Sequence, residues 1–232
     1  MIAVVTPVYG NASTLEQLSH RLAAALDAAG AEWTLRFVID ASPDHSLAVA
    51  TRLAAADGRL TVTDLAHNAG QNRALLAGLA ADAGADVWVC LDADLQDPPE
   101  AVPALVGRLA RGDVSVVFGG RRGSYESRSR LLTGRIHRAL LSQITGVPAD
   151  AGAFLAMDRR ARHALLALGP PGIVAGVGAT RLPTVSVPVA RAPRSSGRSA
   201  WTGRARLRQS ARTLAWAVSL RRAPSEGSGR TG

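Results

Sequence analysis

Five short apolar runs, at residues 2–6, 33–39, 60–65, 87–91 and 114–118, recur along the first half of the chain at spacings of roughly 25 to 30 residues. Between them lie segments rich in Ala and Leu at residues 14–29, 46–56, 71–83 and 99–111, with the length and apolar content of helices. A strand that is apolar at consecutive positions has no solvent face and must be covered on both sides. A helix between successive strands is the connection that parallel pairing requires. The expected class is therefore α/β, with a mostly parallel central sheet flanked by helices.

In open sheets of this kind ligands bind beyond the carboxyl ends of the strands. Polar segments follow all five runs: Thr6-Pro-Val-Tyr9, Asp40-Ala-Ser-Pro-Asp44, His67-Asn-Ala-Gly-Gln71, Asp92 to Asp97, and Gly119-Gly-Arg-Arg122. They are expected to be five loops lining one edge. Neither common nucleotide fingerprint is present. The first run continues as Pro7-Val-Tyr-Gly-Asn11 instead of a Gly-x-Gly-x-x-Gly turn, and a P-loop needs a lysine, of which the chain has none. No internal repeat is evident.

The fourth segment, Asp92-Ala-Asp-Leu-Gln-Asp-Pro-Pro99, carries the most chemistry. Three carboxylates and an amide at the mouth of a buried strand repel one another and resist desolvation, a cost that a cation removes. Hard cations such as Mg²⁺ or Mn²⁺ take oxygen ligands and keep open positions for phosphate oxygens. Asp92, Asp94 and Gln96 thus read as a metal platform for a diphosphate. The plainer alternative is a polar loop whose Pro98-Pro99 pair opens the next helix.

At 232 residues and 47% hydrophobic content the chain can bury one sizeable core. A single cysteine, Cys90, excludes a disulfide framework and a cysteine zinc site, and fits a reducing cytoplasmic setting. No leader is visible, and no apolar stretch approaches the about 20 residues that span a bilayer, so the expectation is a cytoplasmic protein, soluble or peripheral at the membrane face. All 27 basic residues are arginine. Residues 1–120 carry 7 of them against 14 Asp and Glu, a balance of −7, and residues 121–232 carry 20 against 4, a balance of +16, which together return the net +9. Arginine suits bidentate phosphate contacts, so an acidic metal half joined to an arginine half suggests two phosphate-bearing ligands meeting in a cleft. The lack of lysine by itself can equally reflect genomic composition.

Beyond residue 120 the pattern changes. A helix is expected at about 127–145, a strand at 150–157, a short helix at 158–168, a turn at 169–172 and a strand at 184–190. Residues 191–199 read as a mobile basic loop, 204–222 as an amphipathic basic helix and 224–232 as a disordered tail. The resulting division is a main domain at 1–190, with an acidic half at 1–120 and a second half at 121–190. A basic loop and helix follow at 191–222, and the tail at 223–232. The basic helix can rest on an anionic membrane or pack on the main domain.

Taken together, Thr6-Pro-Val-Tyr9, Asp40-Ala-Ser-Pro-Asp44, Asn68-Ala-Gly-Gln71 with Ala74-Leu-Leu-Ala-Gly78, Asp92 through Glu100, Gly120-Arg121, Asp150 through Phe154, and Arg194-Ser-Ser-Gly-Arg-Ser199 resemble the inverting family 2 glycosyltransferases. The likeness is greatest to polyprenyl-phosphate sugar transferases such as dolichyl-phosphate mannose synthase. It covers about residues 2–215 and is strongest at 68–100. It implies a GT-A fold, Rossmann-like, with a divalent cation at Asp92, Asp94 and Gln96, and a UDP- or GDP-linked sugar donor near Thr6, Pro7, Tyr9, Asp40, Asn68, Gln71 and Asp92. On physical grounds Asp40 could accept from a base N–H, and Tyr9 offers a face for stacking. By analogy Arg121, Arg122, Arg194 and Ser199 would grip phosphate, with Asp94, Arg121 and Arg194 closest to the chemistry. The chain departs from the family pattern at Ile39, at Gly10-Asn11, at His67 and at Trp201.

An inverting transfer to a hydroxyl needs a general base. Residues 161–200 contain no Asp or Glu, and His163 is the lone candidate there. A phosphate monoester acceptor is already anionic, with a second pKa near ~6, and removes that need. This favours a phosphorylated lipid acceptor and a single transfer, since no Gln-x-x-Arg-Trp motif is present; a base such as Asp150 would favour a small hydroxyl acceptor instead. Nucleic-acid binding by the basic half is disfavoured by the 4% aromatic content and the lack of a reading motif. Homo-oligomerisation is open.

Overall fold

The computed structural model describes residues 1–122, 142–143, 145–191, 213, 215, 216 and 219, with residues 121 and 122 described by backbone alone. Seven strands form one sheet: β1 (Ile2–Val8), β2 (Trp33–Ile39), β3 (Leu60–Asp64), β4 (Val87–Cys90), β5 (Val116–Arg122), β6 (Leu155–Asp158) and β7 (Thr184–Ala190). Their order is β3-β2-β1-β4-β6-β5-β7. β1 pairs in parallel with β2 and β4, β2 with β3, and β5 with β7. β6 alone runs the other way, antiparallel to both β4 and β5. Six strands therefore point their carboxyl ends to one edge.

Alternation along β1 divides the core. Ile2, Val4 and Val8 face one cluster with α1 (Leu15–Ala28), α2 (Ser46–Ala56) and α4 (Val102–Leu109). Ala3 and Val5 face a second with α3 (Gln71–Ala81), α5 (Arg159–Leu168) and α6 (Ile173–Ala179). The period of two in a strand sends neighbours to opposite layers, so an all-apolar run is needed to feed both. α1 presents Leu15, Leu18, Leu22 and Leu26 at helical spacing, all fully buried. α4 follows a short 3₁₀ turn, Pro99–Ala101, where the fixed φ of Pro99 starts the helical direction.

Several expectations need correction. Thr6 and Pro7 lie inside β1, buried, and not on a loop after it. Gly119 to Arg122 are the last residues of β5 and pair with β7, where a loop was expected. A Cβ at Gly119 would enter the ring of Phe154, and one at Gly120 would meet Asp150 and Ser186, so these glycines permit close approach within a strand. The strand expected at 150–157 begins only at Leu155. α6 was not foreseen. Residues 142, 143 and 145, and 213, 215, 216 and 219, are helical; the rest of the helices expected at 127–145 and 204–222, the loop at 192–199 and the tail lie outside the described residues.

Candidate active site

The sheet order reverses at β1, because the chain steps outward from β1 to β2 and β3 and then returns to place β4 on the opposite side. The carboxyl ends of β1 and β4 meet at this switch point, which is where a ligand crevice forms in such sheets. β4 ends at Cys90, and the next nine residues alternate: Leu91, Ala93, Leu95, Asp97 and Pro99 are buried, whereas Asp92, Asp94, Gln96 and Pro98 are partly exposed. The alternation turns Asp92, Asp94 and Gln96 outward from one short segment.

Four contacts fix that segment. The Gln71 amide at the start of α3 donates to Asp92 Oδ1 at 2.6 Å. The Thr14 hydroxyl, just before α1, donates to the Ala93 carbonyl at 2.7 Å. Asp94 Oδ1 accepts from the Gln96 N–H at 3.1 Å, an Asx turn that orients the carboxylate. Leu95 takes a left-handed φ of +59° and still buries its side chain in the core.

The fourth hold is an ion pair. Arg191 Nε and Nη2 donate side-on to the two oxygens of Asp97 at 2.6 and 2.8 Å. The Asp97 side chain is 1% exposed and that of Arg191 13%. Burial works against the Arg191 charge. The hydrogen bonds to Asp97, with the charges of Asp97, Asp92 and Asp94, outweigh it and hold the guanidinium above its ordinary pKa. Asp97 is therefore a structural carboxylate and not a third member of a metal cluster, and Arg191 is anchored where a mobile loop was expected. Sequence reasoning missed Thr14 and Arg191. Each is a single polar residue whose partner lies 79 or 94 positions away.

The residues expected to seat a donor divide. Tyr9 directly follows β1 and is 41% exposed. Asp40 is 3% exposed, and its oxygens accept from the Ala69 and Gly70 N–H groups at 2.6 and 2.9 Å. Its carboxylate shapes the β3–α3 loop. Asn68 is exposed and donates to the Asp40 carbonyl at 3.3 Å. Gln71, also expected at the donor, holds Asp92. Thr6 is fully buried, with no hydrogen-bond partner for its hydroxyl. Arg121 and Arg122 bring their backbone to the same edge on β5; Arg194 and Ser199 lie outside the described residues.

Two loops beside Tyr9 are tied together by Asp44. It accepts from the Ser42 and Ser46 hydroxyls and from the Ala12 and Ser46 N–H groups. Burial alone would raise its pKa, but these hydrogen bonds prevail and hold it at about 2. On the other side of the edge Asp150 accepts from the Ser186 hydroxyl at 2.9 Å, close against Gly120. Next to Gln71 opens a cleft of about 650 Å³ lined by Gly70, Arg73, Leu76, Pro170, Pro171 and Trp216 among others. Cys90 takes no part, since burial, with the charge of Asp92, pushes its thiol far up.

Among the described residues no group of three or more His, Cys, Asp or Glu gathers closely enough to cage a metal. Asp92 and Asp94 with Gln96 form an oxygen-only set of two carboxylates and an amide. A Mg²⁺-type ion is bound in this manner, through one or two carboxylates with phosphates completing the shell. The donor set fits such an ion.

The family model for glycosyl transferase family 2 matches residues 3–161. The chain belongs to this family. Among curated relatives of this family 2 chain, undecaprenyl-phosphate 4-deoxy-4-formamido-L-arabinose transferase of Sodalis glossinidius is 38% identical over 161 residues, covering 68% of this chain and 49% of the relative. The enzyme of the same name from Klebsiella pneumoniae is 34% identical over the same coverage. The family 2 chain thus spans about half the length of the curated relatives it matches. Glucosyl-3-phosphoglycerate synthase of Mycobacterium tuberculosis, solved with Mn²⁺, UDP and phosphoglyceric acid, superposes with a TM-score of 0.68 over 99% of this chain and 81% of that one at 22% identity. Mannosyl-3-phosphoglycerate synthase of Rubrobacter xylanophilus gives 0.64 at 18% identity, over 100% and 78%. The fold of the family 2 chain is GT-A.

Proposed function

We propose that the chain is a metal-dependent inverting glycosyltransferase that moves one sugar from a UDP- or GDP-linked donor to a polyprenyl-phosphate-type acceptor. The observation that carries this reading is the segment Asp92 to Asp97, fastened at the switch point with Asp92, Asp94 and Gln96 turned outward. In such a transfer an acceptor oxygen forms a bond to the anomeric carbon. The bond from that carbon to the diphosphate oxygen breaks, and its electron pair leaves with the nucleoside diphosphate. Asp92, Asp94 and Gln96 would hold a divalent cation, Mg²⁺ or Mn²⁺, which would supply positive charge to that leaving group. Tyr9 offers its ring to the base, Gln71 keeps Asp92 aimed, and Arg121, Arg122, Arg194 and Ser199 are assigned to phosphate. The cleft beside Gln71 combines the apolar Leu76, Pro170, Pro171 and Trp216 with Arg73, walls suited to an amphiphilic phosphate. The curated relatives carry undecaprenyl phosphate in their names, which supports the same acceptor class.

The halves 1–120 and 121–190 are read as donor and acceptor sides, with 191–222 as a basic extension toward an anionic membrane at its cytoplasmic face. No helix among the described residues is long and apolar enough to cross a membrane.

A second reading, a tailoring transferase acting on a hydroxyl of a small acceptor, is favoured by Asp150. It is a carboxylate at the site edge, in a stretch of chain otherwise poor in acids. Two experiments test the proposal. Calorimetric titration with UDP, GDP and their sugar conjugates should give Mn²⁺-dependent binding of one nucleotide, lost in Asp94→Ala with the melting temperature kept; metal-independent binding, or none, refutes it. Asp150→Asn should leave transfer to a polyprenyl phosphate standing, whereas its loss moves the assignment to a hydroxyl acceptor.

A further inference from the structure

We propose that Arg191 and Asp97 are positioning residues for the metal segment, holding Asp92 and Asp94 in the arrangement that captures the divalent cation; this rests on the proposed metal role of those two carboxylates. The pair joins distant parts of the fold. Arg191 follows β7, the edge strand, while Asp97 lies seven residues past the end of β4, and β6 and β5 stand between those strands. With neighbouring strands about 4.8 Å apart, the contact bridges three strand spacings over the top of the sheet. Asp97 is the buried residue that follows Gln96, so its place fixes where the outward-facing run ends.

The geometry is more specific than charge neutralisation demands. Both Asp97 oxygens meet separate guanidinium nitrogens, a side-on fork that a lysine ammonium cannot reproduce. The other holds act on the early residues, Gln71 on Asp92 and Thr14 on Ala93. Leu95 is anchored in the core in a left-handed conformation that its neighbours must enforce. Among the polar holds described that reach the segment from elsewhere in the fold, only the Asp97 contact acts downstream of that strained residue. If it is released, the Asp94 to Gln96 turn loses its far anchor.

The test measures Mn²⁺ affinity directly, by electron paramagnetic resonance of free Mn²⁺, alongside the melting temperature. Arg191→Lys keeps the charge and loses the fork; it should weaken Mn²⁺ binding by about tenfold, the low end of what outer partners of metal ligands cost. Because a half-broken buried pair can prevent folding, Asp97→Asn combined with Arg191→Gln is made as well. This neutral amide pair should fold and bind Mn²⁺ more tightly than Arg191→Lys does. Arg191→Lys binding Mn²⁺ like the wild type, at a temperature where it is folded, overturns the positioning role even if its melting point falls. So does a folded double variant that binds no better than Arg191→Lys. Failure of the wild type itself to bind Mn²⁺ is a different result: it removes the metal reading, and this inference with it.

Discussion

Two residues on opposite sides of the switch point hold left-handed backbone, Ala41 at φ +48° and Leu95 at +59°. For an L-residue that conformation costs roughly 1–2 kcal/mol. Ala41 is partly exposed and adds little to the core, so Ala41→Gly should raise stability by about 0.5–1 kcal/mol after the extra entropy lost by glycine. The check is a higher urea midpoint at unchanged m-value. Leu95 behaves oppositely. Its side chain is 5% exposed, and burying a leucine contributes about 1.5–3 kcal/mol, more than the strain takes away. At this scale the sequence is legible in kind and illegible in partnership. Asp92, Asp94 and Gln96 stand out as an oxygen-donor string. That Asp97, in the same string, faces inward to Arg191 depends on a φ angle and on a residue 94 positions away, and composition encodes neither.

α3 shows how an element's packing can overrule its local preference. Gly78 lies within the helix, where alanine would be favoured by up to about 1 kcal/mol. A Cβ there would run into the side chains of Val5 on β1 and Val38 on β2. Gly78→Ala is expected to destabilise by about 1–3 kcal/mol through overpacking, measured by denaturant unfolding. An equal or higher stability would mean that the sheet yields at this point. The helices and strands of the first half were readable because short uninterrupted apolar runs alternate with Ala- and Leu-rich segments at regular spacing. Two of the errors fall on glycine. Gly119-Gly120 looked like a turn but sits in β5, where Phe154, Asp150 and Ser186 take the space of its missing side chains. α6, with Gly176 and Gly178, has weak helix propensity; its glycines lie against Pro170, Leu165 and Thr145, so packing forms the helix.

Across the whole molecule, charge and topology are arranged around one edge. Asp44 couples two of the edge loops, and its depressed pKa gives that coupling a pH signature. With a folded value of about 2 against an ordinary 3.8, its stabilisation is complete above the ordinary value and is lost as pH falls toward 2. Asp44→Asn should flatten the fall of melting temperature between pH 4 and pH 2; identical slopes in both proteins would show that other carboxylates carry the acid response. The net direction of the sheet was legible from its apolar runs. The reversal of β6 was not, since a strand reads the same in either orientation. That reversal has a further consequence. β5 leaves the sheet at the edge that bears Asp92 and Asp94, and β6, running backward, re-enters from that same edge. The stretch between Arg122 and Leu155 is thus a detour that starts and finishes beside the chemistry. Its described end carries Phe154 and Asp150 back against Gly119 and Gly120, so a change in the length of this connection would be felt inside β5 as well as at the edge.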